Sequence, residues 1–242
     1  MHTLYVFGDS FSDPNHKHNA AGNTFWINDL ENHFTVHNYS MKGSGPSYQI
    51  EKLINVIETH DHVKLKQSNM IFFMSDIHRY YWHFLKPKDQ YLYPHILSPS
   101  ILFSEKNRDK LNVIKEAKKY KQYKKFLKEF DRYTGLTETH NIISHFSTVY
   151  TMSKYFNKTV FWPIFNNLDC IPNIKNFVDN KFNVIDYPLI KISQNDNVDD
   201  RLKNMHLHET NHNVMTEELT SWMKKNYSIN VKNFKGNITS NK

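Results

Sequence analysis

Short apolar runs bounded by turn residues recur along the chain at intervals too long for hairpins. They predict five strands, at residues 3–7, 34–39, 70–74, 159–163 and 182–186. Apolar positions spaced three and four apart predict helices at residues 24–32, 47–59, 106–133, 138–156 and 212–226. Strands that alternate with helices are typical of βαβ units. We therefore expect a three-layer α/β/α sandwich around a mostly parallel five-stranded sheet.

The alternation is interrupted at about residues 77–135. This stretch begins with an aromatic loop and continues into a helix with an apolar stripe on one face and lysines on the other. Between Glu105 and Arg132 there are eleven Lys or Arg and five acids, which is +6 of the chain's formal +7. We predict a single domain over residues 1–226 with this stretch as an aromatic and Lys-rich helical insertion. Residues 227–242 are expected to form a polar, frayed C-terminal tail.

The basic helix at residues 106–132 has several interpretations. A run of charges is most often a solvated face, and we favour that interpretation. The alternatives are anionic partners: an acidic polysaccharide, a membrane surface or, less favoured, nucleic acid.

Composition limits the class of protein. Hydrophobic residues make up 39% of the chain and aromatic residues 14%, which is typical of a globular protein. No apolar run approaches the roughly 18 residues that a membrane span requires. The single cysteine, Cys170, excludes an internal disulfide, and the first strand begins too early to leave room for a secretory signal. We expect a cytoplasmic location. The abundance of Asn, Lys and Ile is typical of an AT-rich coding genome such as a viral one.

Three separated stretches carry candidate chemistry. The first strand ends at Gly8-Asp9-Ser10, Asn38 precedes Gly43 by five residues after the second strand, and His206 precedes the last helix in NMHLHETNH. Together they resemble the SGNH or GDSL family of serine hydrolases, over nearly the whole chain apart from the insertion. The resemblance implies a flavodoxin-like strand order and an ester-cleaving activity.

The resemblance also implies roles for these residues. Ser10 would attack an ester carbonyl, and His206 would accept its proton and return it to the leaving alcohol. The backbone N–H groups of Ser10 and Gly43 would hold the oxyanion of the tetrahedral intermediate. We group Asp9 with the oxyanion and substrate-binding residues.

Two blocks depart from the family pattern. Ser75 stands where the family has an oxyanion-hole asparagine, so either its shorter hydroxyl arm or the nearby His78 or Arg79 would supply that donor. Lys203 stands where the family has the aspartate partner of the histidine. Either Asp199 or Asp200, or a backbone carbonyl, would then orient His206.

A metal site is the rival interpretation of the last stretch, since imidazole and carboxylate groups are zinc ligands. The candidate ligands would be His206, His208, Glu209 and His212. With 15 histidines in the chain, such clusters arise by chance, and we expect no metal and no cofactor.

The sequence therefore predicts a serine esterase acting on a small-molecule or glycan ester, with a carbohydrate O-acetyl group preferred over a long-chain lipid. The alternative is a catalytically weak or inactive module of the same fold. Such a module would bind glycan or serve as a structural component, for example of a virus particle.

Overall fold

The computed structural model describes residues 2–13, 25–42, 44–77, 125, 138–164, 168, 180–193, 207, 209–225 and 227–234. Within them, five strands form one sheet in which every pairing is parallel. The strands are β1 (Thr3–Phe7), β2 (Thr35–Asn38), β3 (Asn69–Met74), β4 (Lys158–Pro163) and β5 (Phe182–Val184). Their order across the sheet is β2-β1-β3-β4-β5. This confirms the predicted five-stranded parallel sheet and its flavodoxin-like order.

Six α-helices accompany the sheet in the described part of the chain. They are α1 (Trp26–Glu31), α2 (Pro46–Thr59), α3 (His62–Lys66), α4 (Glu138–Ser153), α5 (Leu189–Ser193) and α6 (Glu209–Lys225). A 3₁₀ helix follows at Val231–Asn233.

Each face of the sheet carries its own hydrophobic core, because successive strand residues point to opposite faces. In β1, Leu4 and Val6 belong to a core formed with α1, α5 and α6. Tyr5 and Phe7 belong to a second core formed with α2, α3 and α4. Helices therefore cover both faces, and the predicted three-layer sandwich is confirmed. The central β3 is buried at all six positions, which explains why every residue after Asn69 is apolar.

Two short helices were absent from the sequence-based prediction. The five-residue α3 begins after Asp61, whose Oδ1 accepts a hydrogen bond from the backbone N–H of Val63 at 2.7 Å. The equally short α5 places Leu189 and Ile192 in the core. Helices of five residues show too little periodicity to be distinguished from loops. The predicted insertion lies outside the described residues apart from Ile77 at its start, which is buried, and Lys125, which is helical.

The chain from Tyr227 to Phe234 is attached to the body, whereas the sequence predicted fraying from Tyr227 onward. Ile229 and Phe234 are buried in the same core as α6. The ring of Phe234 packs edge-on against Trp162, with centroids 5.8 Å apart. The Glu218 carboxylate also accepts a hydrogen bond from the backbone N–H of Asn230 at 2.7 Å. Two buried apolar side chains thus anchor the segment, and Val231 between them packs against the same core.

None of the helices in the described ranges is both long and apolar enough to cross a bilayer.

Candidate active site

Ser10 and Ser75 follow two strands that are neighbours in the sheet, β1 and β3. Because the strands are parallel, their carboxyl ends meet at one edge. This is also where the chain order reverses, since β2 lies on one side of β1 and β3 lies on the other. Ligands of open α/β sheets bind in the crevice at such a reversal. The fold therefore puts Ser10 at the position where chemistry is expected.

Ser10 lies in a tight turn formed by residues 9–12, called here the Ser10 turn. The backbone N–H of Ser12 donates to the carbonyl oxygen of Asp9 at 3.1 Å, which closes the turn. The N–H of Phe11 donates to Asp9 Oδ1 at 3.0 Å, so the side chain of Asp9 supports the same turn from within. Ser10 is 9% exposed. Its conformation is thus set by neighbours on both sides.

The carboxylate of Asp9 also reaches across to β3. Its Oδ2 accepts a hydrogen bond from Ser75 Oγ at 2.8 Å, and both residues are fully buried. A serine hydroxyl carries a single proton to donate. The predicted use of Ser75 as an oxyanion donor would therefore require this bond to break. An ionised carboxylate only accepts hydrogen bonds. Those that Asp9 accepts from Phe11 and Ser75 hold the Ser10 turn in place.

Gly8 leaves little room for a side chain because Ser12 and Ser40 lie close to it. A Cβ atom there would lie 2.0 Å from Ser12 Oγ and 3.1 Å from Ser40 Oγ. The carbonyl oxygen of Gly8 accepts two hydrogen bonds, from the N–H of Met41 at 3.2 Å and from Ser44 Oγ at 2.9 Å. The first predicted block is thereby fastened to the loop that follows β2.

Further hydrogen bonds join the end of β2 and that loop to the Ser10 turn and to Asp13 directly after it. Asn38 Nδ2 donates to the carbonyl oxygen of Ser12 at 2.7 Å, and the N–H of Lys42 donates to Asp13 Oδ2 at 2.9 Å. Gly43, the predicted second oxyanion donor, lies outside the described residues. Its neighbours Lys42 and Ser44 are both held against the chain that carries Ser10.

Gln49 joins this network from α2, and sequence analysis did not single it out. Its side chain is fully buried, and its Oε1 accepts a hydrogen bond from the backbone N–H of Ser75 at 3.3 Å. The available signal was its spacing. Gln49 occupies a position four residues before Leu53 and seven before Val56, in line with the apolar stripe of α2. A buried amide at an apolar position indicates a polar partner in the interior.

His206, Asp199, Asp200 and Arg79 lie outside the described residues, so their predicted meeting with Ser10 stays a prediction. The chain next to His206 is described: Leu207 is buried in the core that contains Phe11.

The amino end of α6 packs against the helix that contacts the Ser10 turn. The ring of His212 lies edge-on to Phe25, with centroids 5.4 Å apart. Thr216 Oγ1 lies 3.4 Å from the carbonyl oxygen of Trp26. Trp26 Nε1 in turn donates to the carbonyl oxygen of Phe11 at 3.2 Å. The Ser10 turn and the amino-terminal half of α6 thus both contact α1, and α6 also contacts the residue before it.

A separate cleft of about 930 Å³ runs along edge strand β5 and the segment after α6. Its described lining includes Lys158, Lys181 and Lys232. Strands β3 and β4 lie between β5 and β1 in the sheet, so this cleft is distinct from the Ser10 site. Among the described residues, no group of three or more His, Cys, Asp or Glu side chains could hold a metal ion.

No protein-family model matches the chain, and no curated protein matches it. Among solved structures, the psychrotrophic esterase EstA from Pseudoalteromonas sp., inhibited by monoethylphosphonate, is similar over 93% of this chain and 98% of its own. It is 10% identical, with a TM-score of 0.47. The lipase Lip_vut3 from a goat rumen metagenome is similar over 91% of this chain and 97% of its own, with 11% identity and a TM-score of 0.39. At these values the likeness carries no weight for the site, whose chemistry must follow from its own residues.

Proposed function

We propose that this chain is a serine hydrolase of the SGNH type that cleaves esters, with Ser10 as nucleophile and His206 as base. The observation that carries the proposal is the Ser10 turn itself. It stands at the carboxyl end of β1, at the reversal point of the sheet, and Asp9 fixes it through hydrogen bonds to Phe11 and Ser75. A nucleophile has to be held in one orientation to attack efficiently, and this turn supplies such a hold.

The reaction proceeds through two displacements. Ser10 Oγ attacks the ester carbonyl carbon while its proton passes to His206, and the carbonyl oxygen becomes an oxyanion. Collapse of this intermediate breaks the bond to the alcohol oxygen, which takes the proton from His206. Water then attacks the acyl-enzyme, with His206 again as base. The carboxylic acid product leaves and the Ser10 hydroxyl is restored.

The oxyanion needs donors that already point at it. We assign the backbone N–H groups of Ser10 and Gly43 to this task. The loop around Gly43 suits it, because Met41 and Ser44 both bond to Gly8 beside the nucleophile. Asp9 and Ser75 are proposed as positioning residues that hold the nucleophile's turn.

His206 requires a group that fixes its tautomer and stabilises the imidazolium. Asp199 and Asp200, a few residues upstream, are the proposed carboxylates. Substituting each by Asn identifies which of the two acts on His206. Only the substitution of the true partner should lower kcat strongly while leaving KM nearly unchanged.

The proposed substrate is a short-chain ester, with an O-acetyl group on a carbohydrate preferred. The aromatic residues Tyr80, Tyr81 and Trp82 in the insertion are of the type that stacks on sugar rings, and the sequence contains no long apolar lid suited to a lipid chain. Arg79, next to them, is a proposed substrate contact.

The decisive experiment measures hydrolysis of p-nitrophenyl acetate by the wild type and by Ser10→Ala. We expect a rate that disappears in the variant, and labelling of the wild type alone by a fluorophosphonate probe. The rate should fall as the pH drops through the range in which an imidazole becomes protonated, around the ordinary histidine pKa of about 6.5.

The second candidate function is a module of this fold without catalysis, which binds glycan. One observation favours it: the Ser75 hydroxyl, at the position of a family oxyanion donor, is committed to Asp9. Equal background rates for wild type and Ser10→Ala, with no labelling of either, would reject the esterase and favour this alternative.

A further inference from the structure

We infer that the side-chain amide of Gln49 is a catalytic oxyanion donor of this site, in the place that Ser75 leaves open. The inference rests on the proposed function and names a residue that neither the sequence motifs nor the comparisons assign. Gln49 Oε1 is bonded to the backbone N–H of Ser75, whereas the buried Nε2 has no hydrogen-bond partner in the described part of the chain.

An unpartnered NH₂ group in the interior costs free energy, because water has been removed and nothing has replaced it. Gln49 lies in line with Leu53 and Val56, so a methionine or leucine would fit the apolar stripe of α2 without that cost. A buried polar group without a partner in the folded protein calls for an explanation such as a ligand or a catalytic role.

The location of the amide favours the catalytic role. Gln49 touches Ser75 at the carboxyl end of β3, Ser75 bonds to Asp9, and Asp9 supports the turn that carries Ser10. The amide is therefore part of one continuous chain of hydrogen bonds that reaches the Ser10 turn at the carboxyl ends of β1 and β3.

The orientation of the amide is also set. The backbone N–H of Ser75 needs an acceptor, which assigns the oxygen of Gln49 to that side and leaves both N–H bonds of Nε2 for another partner. Asn and Gln side chains are among the donors that form oxyanion holes, and a donor screened from water acts more strongly on a developing charge. A tetrahedral oxyanion is the partner of the right sign.

The simpler interpretation is that Gln49 only holds the backbone of Ser75. The two roles differ in what they do to catalysis. A structural prop affects folding and shifts kcat and KM without pattern, whereas an oxyanion donor acts on the transition state and so lowers kcat with KM nearly unchanged.

The test compares Gln49→Met, which keeps the size of the side chain and removes the amide, with Thr159→Val. Thr159 is the matched control, because its buried hydroxyl also lacks a hydrogen-bond partner among described residues but lies near the amino end of β4, away from Ser10. With p-nitrophenyl acetate, we expect Gln49→Met to lower kcat about 10²–10³-fold, the range measured for loss of one such donor. Thr159→Val should leave kcat unchanged, and labelling of Ser10 by the fluorophosphonate probe should slow only in the Gln49 variant.

A second variant keeps the inference testable if Gln49→Met does not fold. Gln49→Glu retains an oxygen for the N–H of Ser75, but its ionised carboxylate has no proton to donate, whereas the neutral acid has one. Its rate relative to wild type should therefore rise as the pH is lowered, which a structural prop does not predict.

Three outcomes decide the matter. A pH-independent deficit in Gln49→Glu, or a Gln49→Met kcat within threefold of wild type while Ser10→Ala is inactive, overturns the inference and leaves the proposed function standing. Absence of any Ser10-dependent hydrolysis in the wild type overturns the proposed function and the inference with it. A selective fall in kcat for Gln49→Met, together with a Gln49→Glu deficit that shrinks as the pH is lowered, supports both.

Discussion

The Asp9 carboxylate accepts a hydrogen bond from Ser75 Oγ at 2.8 Å, in a place where neither residue is exposed to solvent. The two residues are 66 positions apart in the sequence and stand at the ends of adjacent parallel strands. This bond fixes the Ser10 turn, which follows β1, against the residue that follows the central strand β3.

Replacing Ser75 by Ala should lower the free energy of unfolding by about 1.5–3 kcal/mol. The variant loses the hydrogen bond from the Ser75 hydroxyl to the buried Asp9 carboxylate, and bonds to charged groups contribute this much. Ser68→Ala is the matched control. Ser68 is 3% exposed, and its hydroxyl donates over the same 2.8 Å to a neutral acceptor, the carbonyl oxygen of Lys64. Its loss should cost about 1 kcal/mol. Urea denaturation of both variants measures the difference, and an equal or smaller loss for Ser75→Ala would contradict a structural role for the Asp9 bond.

The close approach at Gly8 can be tested by a double substitution. Gly8→Ala puts a methyl group 2.0 Å from Ser12 Oγ, so the Ser12 side chain must move, at a cost of about 1–3 kcal/mol. Ser12→Ala removes that oxygen and leaves its own Cβ 3.3 Å away, which is tight but tolerable. We expect the double variant to recover most of the stability lost in Gly8→Ala, measured as the coupling free energy in urea. Strictly additive losses would show that another contact makes glycine necessary.

Much of the fold could be read from the sequence, and the reason is burial on both faces of the sheet. A central parallel strand is buried on both faces and is therefore mostly apolar, and β1 and β3 appear as such runs with nearly correct ends. The long helices α2 and α6 show the periodicity of one buried face. What escaped prediction depends on single contacts, such as the Asp61 cap of α3 and the burial of Phe234 after a polar stretch.

The site divides in the same way. Gly8, Asp9 and Ser10 can be recognised as a motif because they are consecutive, at the end of β1 and the start of one turn. The contact of Asp9 with Ser75 and that of Ser75 with Gln49 join different elements. Which residues meet in these contacts depends on strand order and helix placement, so the spacing of residues in the sequence does not predict them. Gln49 in particular resembles an ordinary helix residue until its burial is known.

The C-terminal segment should contribute directly to stability. Phe234→Ala removes a ring that is 3% exposed and packed edge-on against Trp162, which should cost about 3–5 kcal/mol. Tyr227→Ala, at the start of the same segment, is the control, since its ring is 66% exposed and its loss should change stability by no more than about 0.5 kcal/mol. Thermal or urea unfolding of the two variants measures both effects. Similar midpoints for Phe234→Ala and wild type would mean that the segment is only loosely attached.

His145 should make stability depend on pH. Burial against the body lowers its pKa below the usual value near 6.5, and a hydrogen bond between Nδ1 and the carbonyl oxygen of Asn141 offsets this only in part. The unfolded chain therefore binds the proton more readily than the folded protein does. The stabilisation is complete above the ordinary histidine pKa and is lost as the pH falls through the lower, folded-state pKa. His145→Gln has no such proton to bind, so its free energy of unfolding should decrease less than that of wild type between pH 7.5 and pH 5. Parallel decreases in urea denaturation at the two pH values would show that other groups govern the acid sensitivity.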